Sequence, residues 1–203
     1  DNFLMEIAMA EAQNDLETLK HVHNLMEKTS ETLIRFLTEL IKAGSDVAML
    51  GDSLASLDMI SPDYYNKYVF PYEKKVFEAL TPVCKEYDAV TILHICGDTT
   101  AIFPKICETG VDVFECDHKV DLKEFKKISK GRVALMGNID PSSVLLRGSK
   151  AEVKKTAIKC MNDAATGGGF ILGSGCEVAM DTPRENMIAM IEAAREYQTI
   201  NDW

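Results

Sequence analysis

Short apolar segments alternate with helical segments along this chain, and no other feature constrains its fold as strongly. The patterns predict strands at 46–52, 90–95, 111–115, 133–137 and 170–173. They predict helices over 2–43 with a break near Asn14, from Ser61 onward, and over 99–108, 121–129, 150–165 and 183–197. Strands that are apolar on both faces and separated by helices are typical of parallel α/β sheets.

Two parallel architectures fit this alternation, a closed barrel and a doubly wound open sheet. No glycine-rich phosphate-binding motif follows the first strand, which favours the barrel. We therefore expect a (β/α)8 TIM barrel, with residues 1–203 in a single domain. Because five strands cannot close an eight-stranded barrel, we expect the chain to cover roughly the C-terminal five βα units. The first residue is Asp1 rather than Met, as in a fragment or a processed chain.

Composition narrows the class of protein. The 203 residues suffice for one domain with its own core, and the net charge of −10 argues against binding to nucleic acid. The sequence shows no apolar run of the roughly 18 residues that a membrane span needs, and no secretory leader. We therefore expect a cytoplasmic protein with six reduced cysteines. Cys84, Cys107 and Cys160 are expected to be buried in helices, and Cys116 is ambiguous.

Three residues predict a metal site. His94 and Cys96 lie two apart in the second predicted strand, so both side chains point to the same face. Cys176 follows the fifth strand, 80 residues after Cys96. One imidazole and two thiolates make a three-ligand zinc site whose fourth position stays open for chemistry. The alternative is a core histidine with two inert thiols, but the position of both halves at strand ends beside glycine favours the metal.

Other polar residues also follow or end predicted strands: Asp52, Asp117, Asn138 and Asp140. In a barrel, the carboxyl ends of the strands form the active-site face, so these residues are candidate functional groups. Asp52 is expected either to orient a ligand or a neighbouring group, or to cap a backbone turn. Asn138 and Asp140 are expected either to line the mouth of the site or to shape the turn before Pro141.

These residues resemble motifs of the uroporphyrinogen decarboxylase superfamily, and more closely of its zinc branch, the methylcobamide:coenzyme M methyltransferases. The branch's His-x-Cys and later Gly-x-Gly-Cys are similar to His94, Cys96 and Cys176. Motifs shared by the whole superfamily resemble Gly51-Asp52, Ile60-Ser61-Pro62, Gly137-Asn138-Ile139-Asp140-Pro141 and Thr182-Pro183-Arg184-Glu185-Asn186. The resemblance begins near Leu25 and covers nearly all of the remaining chain. The cysteines select the methyltransferase branch, because the decarboxylases lack this thiolate set.

The resemblance implies an enzyme that moves a methyl group from a methylated corrinoid to a small thiol such as coenzyme M. It implies Zn²⁺ held by His94, Cys96 and Cys176, with the substrate thiol deprotonated at the open position. The methyl donor would be a corrinoid protein or free methylcobamide, docking at a mouth lined by Asn138 and Asp140.

The fourth zinc position stays open between several occupants. The zinc branch often has a glutamate where this chain has Asp117, and that carboxylate can fill the position in resting members of the branch. Glu115 is a second candidate, and water or the substrate are the others. The alternative for both carboxylates is that they are solvated groups at a strand end. His118 is a further possible ligand but is expected to be exposed.

Three other functions remain open. A decarboxylase acting on a tetrapyrrole would need no metal; its substrate-gripping arginines lie in an amino-terminal part that this chain does not contain. A corrinoid methyltransferase with a different acceptor or donor would keep the zinc. A non-enzymatic partner of a corrinoid protein would hold a structural zinc in a closed four-ligand site.

Overall fold

The structure, a computed structural model, describes residues 2–201 and contains a five-stranded parallel sheet. Residues 1, 202 and 203 of the predicted domain lie outside the described residues. The strands are β1 (Val47–Gly51), β2 (Val90–Ile95), β3 (Val113–Cys116), β4 (Ala134–Ile139) and β5 (Phe170–Ser174). Each of the five predicted strands is therefore confirmed to within about two residues at either end, which is the usual uncertainty of strand boundaries.

Helices precede, connect and follow the strands. They are α1 (Asn2–Gln13), α2 (Leu16–Lys42), α3 (Pro62–Tyr64), α4 (Phe70–Tyr87), α5 (Phe103–Ile106), α6 (Leu122–Ser129), α7 (Lys150–Ala164) and α8 (Arg184–Asn201). Two π-helical turns, Tyr65–Val69 and Pro141–Leu146, add to these helices. The break between the first two helices falls where the sequence predicts it, because the Asp15 carboxylate accepts the N–H groups of Glu17 and Thr18 and so caps α2.

Strand order distinguishes between the two parallel architectures. The strands lie in the order β1-β2-β3-β4-β5, so every βα unit adds its strand on the same side of the sheet. A doubly wound sheet would reverse this order at a switch point. Consecutive parallel order is what a barrel requires, and the carboxyl ends of all five strands consequently meet at one edge.

The main core lies between the sheet and its helices. Leu93, Phe114 and Leu135, which occupy one register row on β2, β3 and β4, are fully buried. Phe103 and Phe125 stack against each other with ring centroids 3.9 Å apart and also contact Phe114. This packing fixes β2, β3 and β4 relative to one another, and two of the three candidate metal ligands lie at the end of β2.

The helix predicted over 99–108 is wrong in length, because only Phe103–Ile106 is α-helical. The Asp98 carboxylate accepts hydrogen bonds from both the backbone N–H and the hydroxyl of Thr100. Such local side-chain bonds offer the backbone an alternative to a helical turn. In the part of the chain that the structure describes, no helix is both long enough and apolar enough to cross a bilayer.

Candidate metal centre

The structure brings His94, Cys96 and Cys176 together at the carboxyl edge of the sheet. One potential ligand atom from each residue lies within 4.8 Å of the other two. His94 Nε2 is 3.0 Å from Cys96 Sγ, and Cys96 Sγ is 3.5 Å from Cys176 Sγ. Two residues from the end of β2 and one just beyond β5 therefore meet on the face where a barrel binds its substrate.

Gly97 allows the chain to turn immediately after Cys96. Its φ of +95° lies in the left-handed region, and a Cβ atom there would come within 2.3 Å of Asp58 Oδ2. The Gly97 N–H donates to Asp117 Oδ2 at 2.7 Å, and the Asp117 side chain is almost fully buried. A buried hydrogen bond from the neighbouring β3 segment thus fixes the residue next to a potential ligand.

The residue before Cys176 is fixed by contacts with two neighbouring segments. Gly175 donates its N–H to the carbonyl of Ile139, the last residue of β4, at 2.8 Å. A Cβ atom at Gly175 would lie 2.4 Å from the backbone nitrogen of His118, so only glycine fits this close approach of two backbones. The two neighbouring segments therefore determine where Cys176 points.

The donor chemistry and spacing fit a thiophilic metal ion. Bonds of about 2.0–2.3 Å to one tetrahedral zinc ion place neighbouring ligand atoms about 3.5 Å apart. The distances of 3.0 Å and 3.5 Å that involve Cys96 Sγ are close to this value. The opposite ring nitrogen, His94 Nδ1, lies 3.2 Å from both the backbone oxygen and the carboxylate of Glu115. His94 can therefore keep its proton on Nδ1 and offer the Nε2 lone pair to a metal.

A bound cation would also stabilise the thiolate form of Cys176. Burial raises the pKa of the Cys176 thiol, and the adjacent Cys96 raises it further. A thiol of raised pKa such as Cys176 becomes a thiolate when it coordinates a metal. Cys176 is therefore suited to metal binding and poorly suited to acting as a free nucleophile.

The two carboxylates considered for the fourth position are both engaged elsewhere. Asp117 Oδ1 accepts the N–H of Lys119 at 2.9 Å and lies 3.0 Å from His118 Nδ1, while its Oδ2 accepts the N–H of Gly97. The Glu115 carboxylate faces Nδ1 of His94, on the opposite side of the ring from the thiols. Because both side chains are largely buried, the alternative that they are solvated is wrong. His118 is partly exposed, as expected, although it contacts Asp117.

Asp52 and Ser53 follow β1 next to the centre. The Asp52 N–H continues the strand ladder to the carbonyl of His94 at 2.9 Å. Burial raises the pKa of Asp52, although the Leu54 N–H donates to its carboxylate and so partly opposes this effect. Ser53 Oγ lies 3.6 Å from Cys96 Sγ, a contact that sequence reasoning missed. The contact follows from the strand register, since Gly51 pairs with His94 and the same offset puts Ser53 level with Cys96.

Asn138 and Asp140 have structural contacts at the neighbouring strand end. The Asn138 side-chain amide donates to the carbonyls of Asp117 and Val120 at 2.9 Å and 3.0 Å. Asp140 Oδ1 accepts the N–H groups of Ser142 and Ser143, which caps the π-helical turn after β4. Both residues also line an open polar cleft of about 330 Å³ between α6 and α7. A role in corrinoid docking stays a prediction.

The remaining cysteines are all buried. Cys84, Cys107 and Cys160 are buried as expected, Cys84 and Cys160 within helices, whereas Cys107 lies just after the end of α5 and not in a helix. Cys116, which was ambiguous from the sequence, is fully enclosed at the end of β3 and its thiol lies 3.6 Å from the carbonyl of Phe114. Burial raises the pKa of each of these thiols, so they are inert packing groups.

Comparison with known proteins places the chain in a family. The family model described as uroporphyrinogen decarboxylase (URO-D) matches residues 15–197. The chain belongs to the uroporphyrinogen decarboxylase family. The match takes in all five strands and the three candidate ligands, so the resemblance drawn from the sequence motifs is confirmed.

Individual relatives in the family carry two kinds of name. A methylcobamide:CoM methyltransferase MtbA from Methanosarcina mazei is 33% identical over 174 residues, which make up 86% of this chain and 49% of that protein. A uroporphyrinogen decarboxylase from Thermus thermophilus is 28% identical over 174 residues, 86% of this chain and 48% of that protein. The chain spans about half the length of the curated relatives it matches.

A solved structure supports the fold directly. A methyltransferase from Methanosarcina mazei matches with a TM-score of 0.73 and 28% sequence identity, over 83% of this chain and 47% of that one. With the consecutive parallel strand order, this match confirms the predicted α/β fold of the TIM-barrel type, of which the chain covers five βα units.

Proposed function

We propose that this chain carries the metal centre of a zinc-dependent methyltransferase, which moves a methyl group from a methylated corrinoid to a thiol such as coenzyme M. The observation that carries the proposal is the cluster of one imidazole and two thiols at the carboxyl edge of the sheet. Since the chain spans about half of its curated relatives, the activity is proposed for the whole protein.

The donor set explains why such a site would suit thiol chemistry. Zinc, when bound, lowers the pKa of a coordinating thiol enough for the thiolate to form at neutral pH. Cys96 and Cys176 would add two negative charges to the site and keep a third sulfur electron-rich, which carboxylate ligands would do less well. His94 would supply the third bond through Nε2 while its Nδ1–H donates a hydrogen bond to Glu115.

Other residues would prepare the site for its substrates. Asp117 would position Cys96 by accepting the hydrogen bond from the N–H of Gly97, the next residue. Asp52 would orient a bound group at the end of β1, where Ser53 already contacts Cys96. We infer that the corrinoid, bound to a partner protein or free, approaches along the same edge, near Asn138 and Asp140. The expected location is the cytoplasm, where thiols stay reduced.

The named relatives favour methyl transfer over decarboxylation. The family includes both activities by name, and this chain is somewhat more similar to the methyltransferase (33%) than to the decarboxylase (28%). The cluster of His94, Cys96 and Cys176 favours the former, since decarboxylation of a tetrapyrrole does not need a metal. A structural zinc site would be closed by a fourth His or Cys ligand, and the described residues group only these three.

Zinc content is the decisive first test. Wild-type protein purified without chelator is expected to contain about one zinc ion per chain, and Cys176→Ser far less, because it loses one of three protein ligands. Elemental analysis of both proteins measures this. Cys84→Ala is the matched control, since Cys84 is a buried thiol in α4 with no contact to the site, and it should keep its zinc.

Acceptor identity needs a second measurement. Adding coenzyme M to the zinc-loaded protein should release protons, as coordination of a thiol to metal requires. If the protein holds zinc but releases no protons when coenzyme M is added, the assignment of a thiol acceptor is wrong although the metal site stands. Protein that never holds zinc, yet decarboxylates a tetrapyrrole in the presence of chelator, would establish the rival function.

A further inference from the structure

The His94 ring has two nitrogens in different surroundings. Nε2 is turned toward Cys96 Sγ, 3.0 Å away, and Nδ1 is turned toward β3. The register of β2 and β3 pairs His94 directly with Glu115, so the two side chains lie next to each other on the same face of the sheet. The imidazole is thus confined between a thiol on one side and a carboxylate on the other.

Glu115 offers two acceptors to the same N–H group. Its backbone oxygen and its carboxylate Oε2 each lie 3.2 Å from His94 Nδ1. The two side chains are 10% and 13% exposed, which is low enough for a charged partner to act with little screening by water. In the part of the chain that the structure describes, the Glu115 carboxylate contacts His94 Nδ1 and forms no ion pair with a lysine or arginine.

We propose that Glu115 is a positioning residue, whose carboxylate keeps the His94 proton on Nδ1 and so presents the Nε2 lone pair to the metal. This inference rests on the proposed zinc site and assigns Glu115 a role other than that of fourth ligand. A carboxylate on the far nitrogen orients the ring and makes the near nitrogen a stronger electron donor. The backbone carbonyl can fix the tautomer, but only the carboxylate adds the negative charge.

Geometry separates this role from direct coordination. The carboxylate approaches Nδ1, whereas the two sulfur atoms lie on the Nε2 side of the ring. A metal held by Nε2 and the two sulfurs is therefore separated from Glu115 by the width of the imidazole. The role also differs from that of Asp117, whose oxygens bind backbone N–H groups rather than His94.

The zinc affinities of wild type and of two Glu115 variants test the inference. Glu115→Ala should weaken zinc binding by about 10–100-fold, as loss of such a partner does in other metal sites. Glu115→Gln keeps an oxygen that can accept the hydrogen bond from His94 Nδ1. Its zinc affinity should therefore lie between those of Glu115→Ala and wild type. Competition with a chromophoric chelator measures the affinities, and circular dichroism checks that each variant is folded. The control is Glu177→Ala, which removes an exposed carboxylate beside Cys176.

A cobalt spectrum distinguishes positioning from ligation. Co²⁺-loaded Glu115→Ala should retain the sulfur-to-metal absorption and the coordination number of wild type, because all three ligands remain. Affinities of Glu115→Ala and wild type within twofold of each other would overturn the inference while leaving the zinc site in place. A changed coordination number would instead identify Glu115 as a ligand, and a wild-type chain that binds no zinc would overturn the proposed function as well.

Discussion

Glu73 places a carboxyl group in the interior of the protein, on α4. Its side chain is 3% exposed and accepts a hydrogen bond from the Tyr65 hydroxyl at 2.5 Å. Burial raises the pKa of Glu73 to about 8, with Asp52 adding to the shift and the Tyr65 bond opposing it. Its other oxygen has no hydrogen-bond partner among the described residues. The neutral acid is therefore the form that the folded protein favours.

This group makes stability fall as pH rises. Between its usual value near 4.5 and about 8, Glu73 holds a proton in the folded state that it loses on unfolding. The free energy of unfolding should therefore decrease across this window, by at most about 1.4 kcal/mol per pH unit from this group. Glu73→Gln should flatten the decrease. Urea unfolding from pH 5 to pH 8 measures it.

Glu86→Gln is the control for that prediction, because Glu86 lies on the same helix and is exposed. It should leave the pH dependence as it is in wild type. If Glu73→Gln and Glu86→Gln give the same slope as wild type, the buried carboxyl group is not the source of the decrease.

At the level of elements, the turn after β2 matters most to the site. Cys96 is followed by Gly97, whose positive φ and close neighbours leave no room for a side chain. Asp117, from the segment after β3, holds the Gly97 N–H. The position of one potential ligand thus depends on two adjacent strand ends and on the absence of a single methyl group.

Gly97→Ala should therefore damage the site and the fold together. The added Cβ would meet Asp58 and Ser56, and the backbone strain alone should cost about 1–3 kcal/mol. We expect lower stability in urea and weaker zinc binding than in wild type. Gly110→Ala is a matched control, since Gly110 has a φ of +91° with nothing within 4 Å of the added atom. It should lose stability through strain and keep its zinc affinity; equal zinc affinities in the two variants would contradict the prediction.

Elements differ in how far the sequence predicted them. The strands were predictable because their apolar runs are bounded by polar and glycine residues, as at Gly51 and Asp52. The helix over 99–108 was not, because Asp98 bonds to Thr100 locally and replaces a helical turn. The π-helical turn Pro141–Leu146 was also missed, since its cap, Asp140, reads equally well as part of a simple turn.

At the scale of the whole molecule, the proposed metal would join distant parts of the chain. Cys96 and Cys176 are separated by 80 residues and by two intervening strands, yet their sulfur atoms lie 3.5 Å apart. A metal at this position would tie the end of β2 to the segment after β5. Because the unfolded chain cannot hold these ligands together, binding favours the folded state.

Zinc should accordingly raise the melting temperature of wild type in a concentration-dependent way. Free zinc at about 100 times its dissociation constant would add about 2.7 kcal/mol of stability. Cys176→Ser should show a much smaller rise, whereas Cys84→Ala should keep the full rise from its own baseline. Differential scanning calorimetry over a zinc titration measures all three. A rise in Cys176→Ser equal to that of wild type would show that zinc binds elsewhere.

The sequence by itself determined the alternation of strands and helices, the parallel α/β class and the identity of the three candidate ligands. These follow from local patterns: apolar runs, capping residues, and the two-residue spacing that puts His94 and Cys96 on one face. Only the tertiary structure decided how the surrounding carboxylates are used. Asp117 and Glu115 read alike as acids at the end of β3, but one binds Gly97 and the other binds His94. The physical reason is that these contacts depend on the register between neighbouring strands, which packing fixes and local sequence does not record.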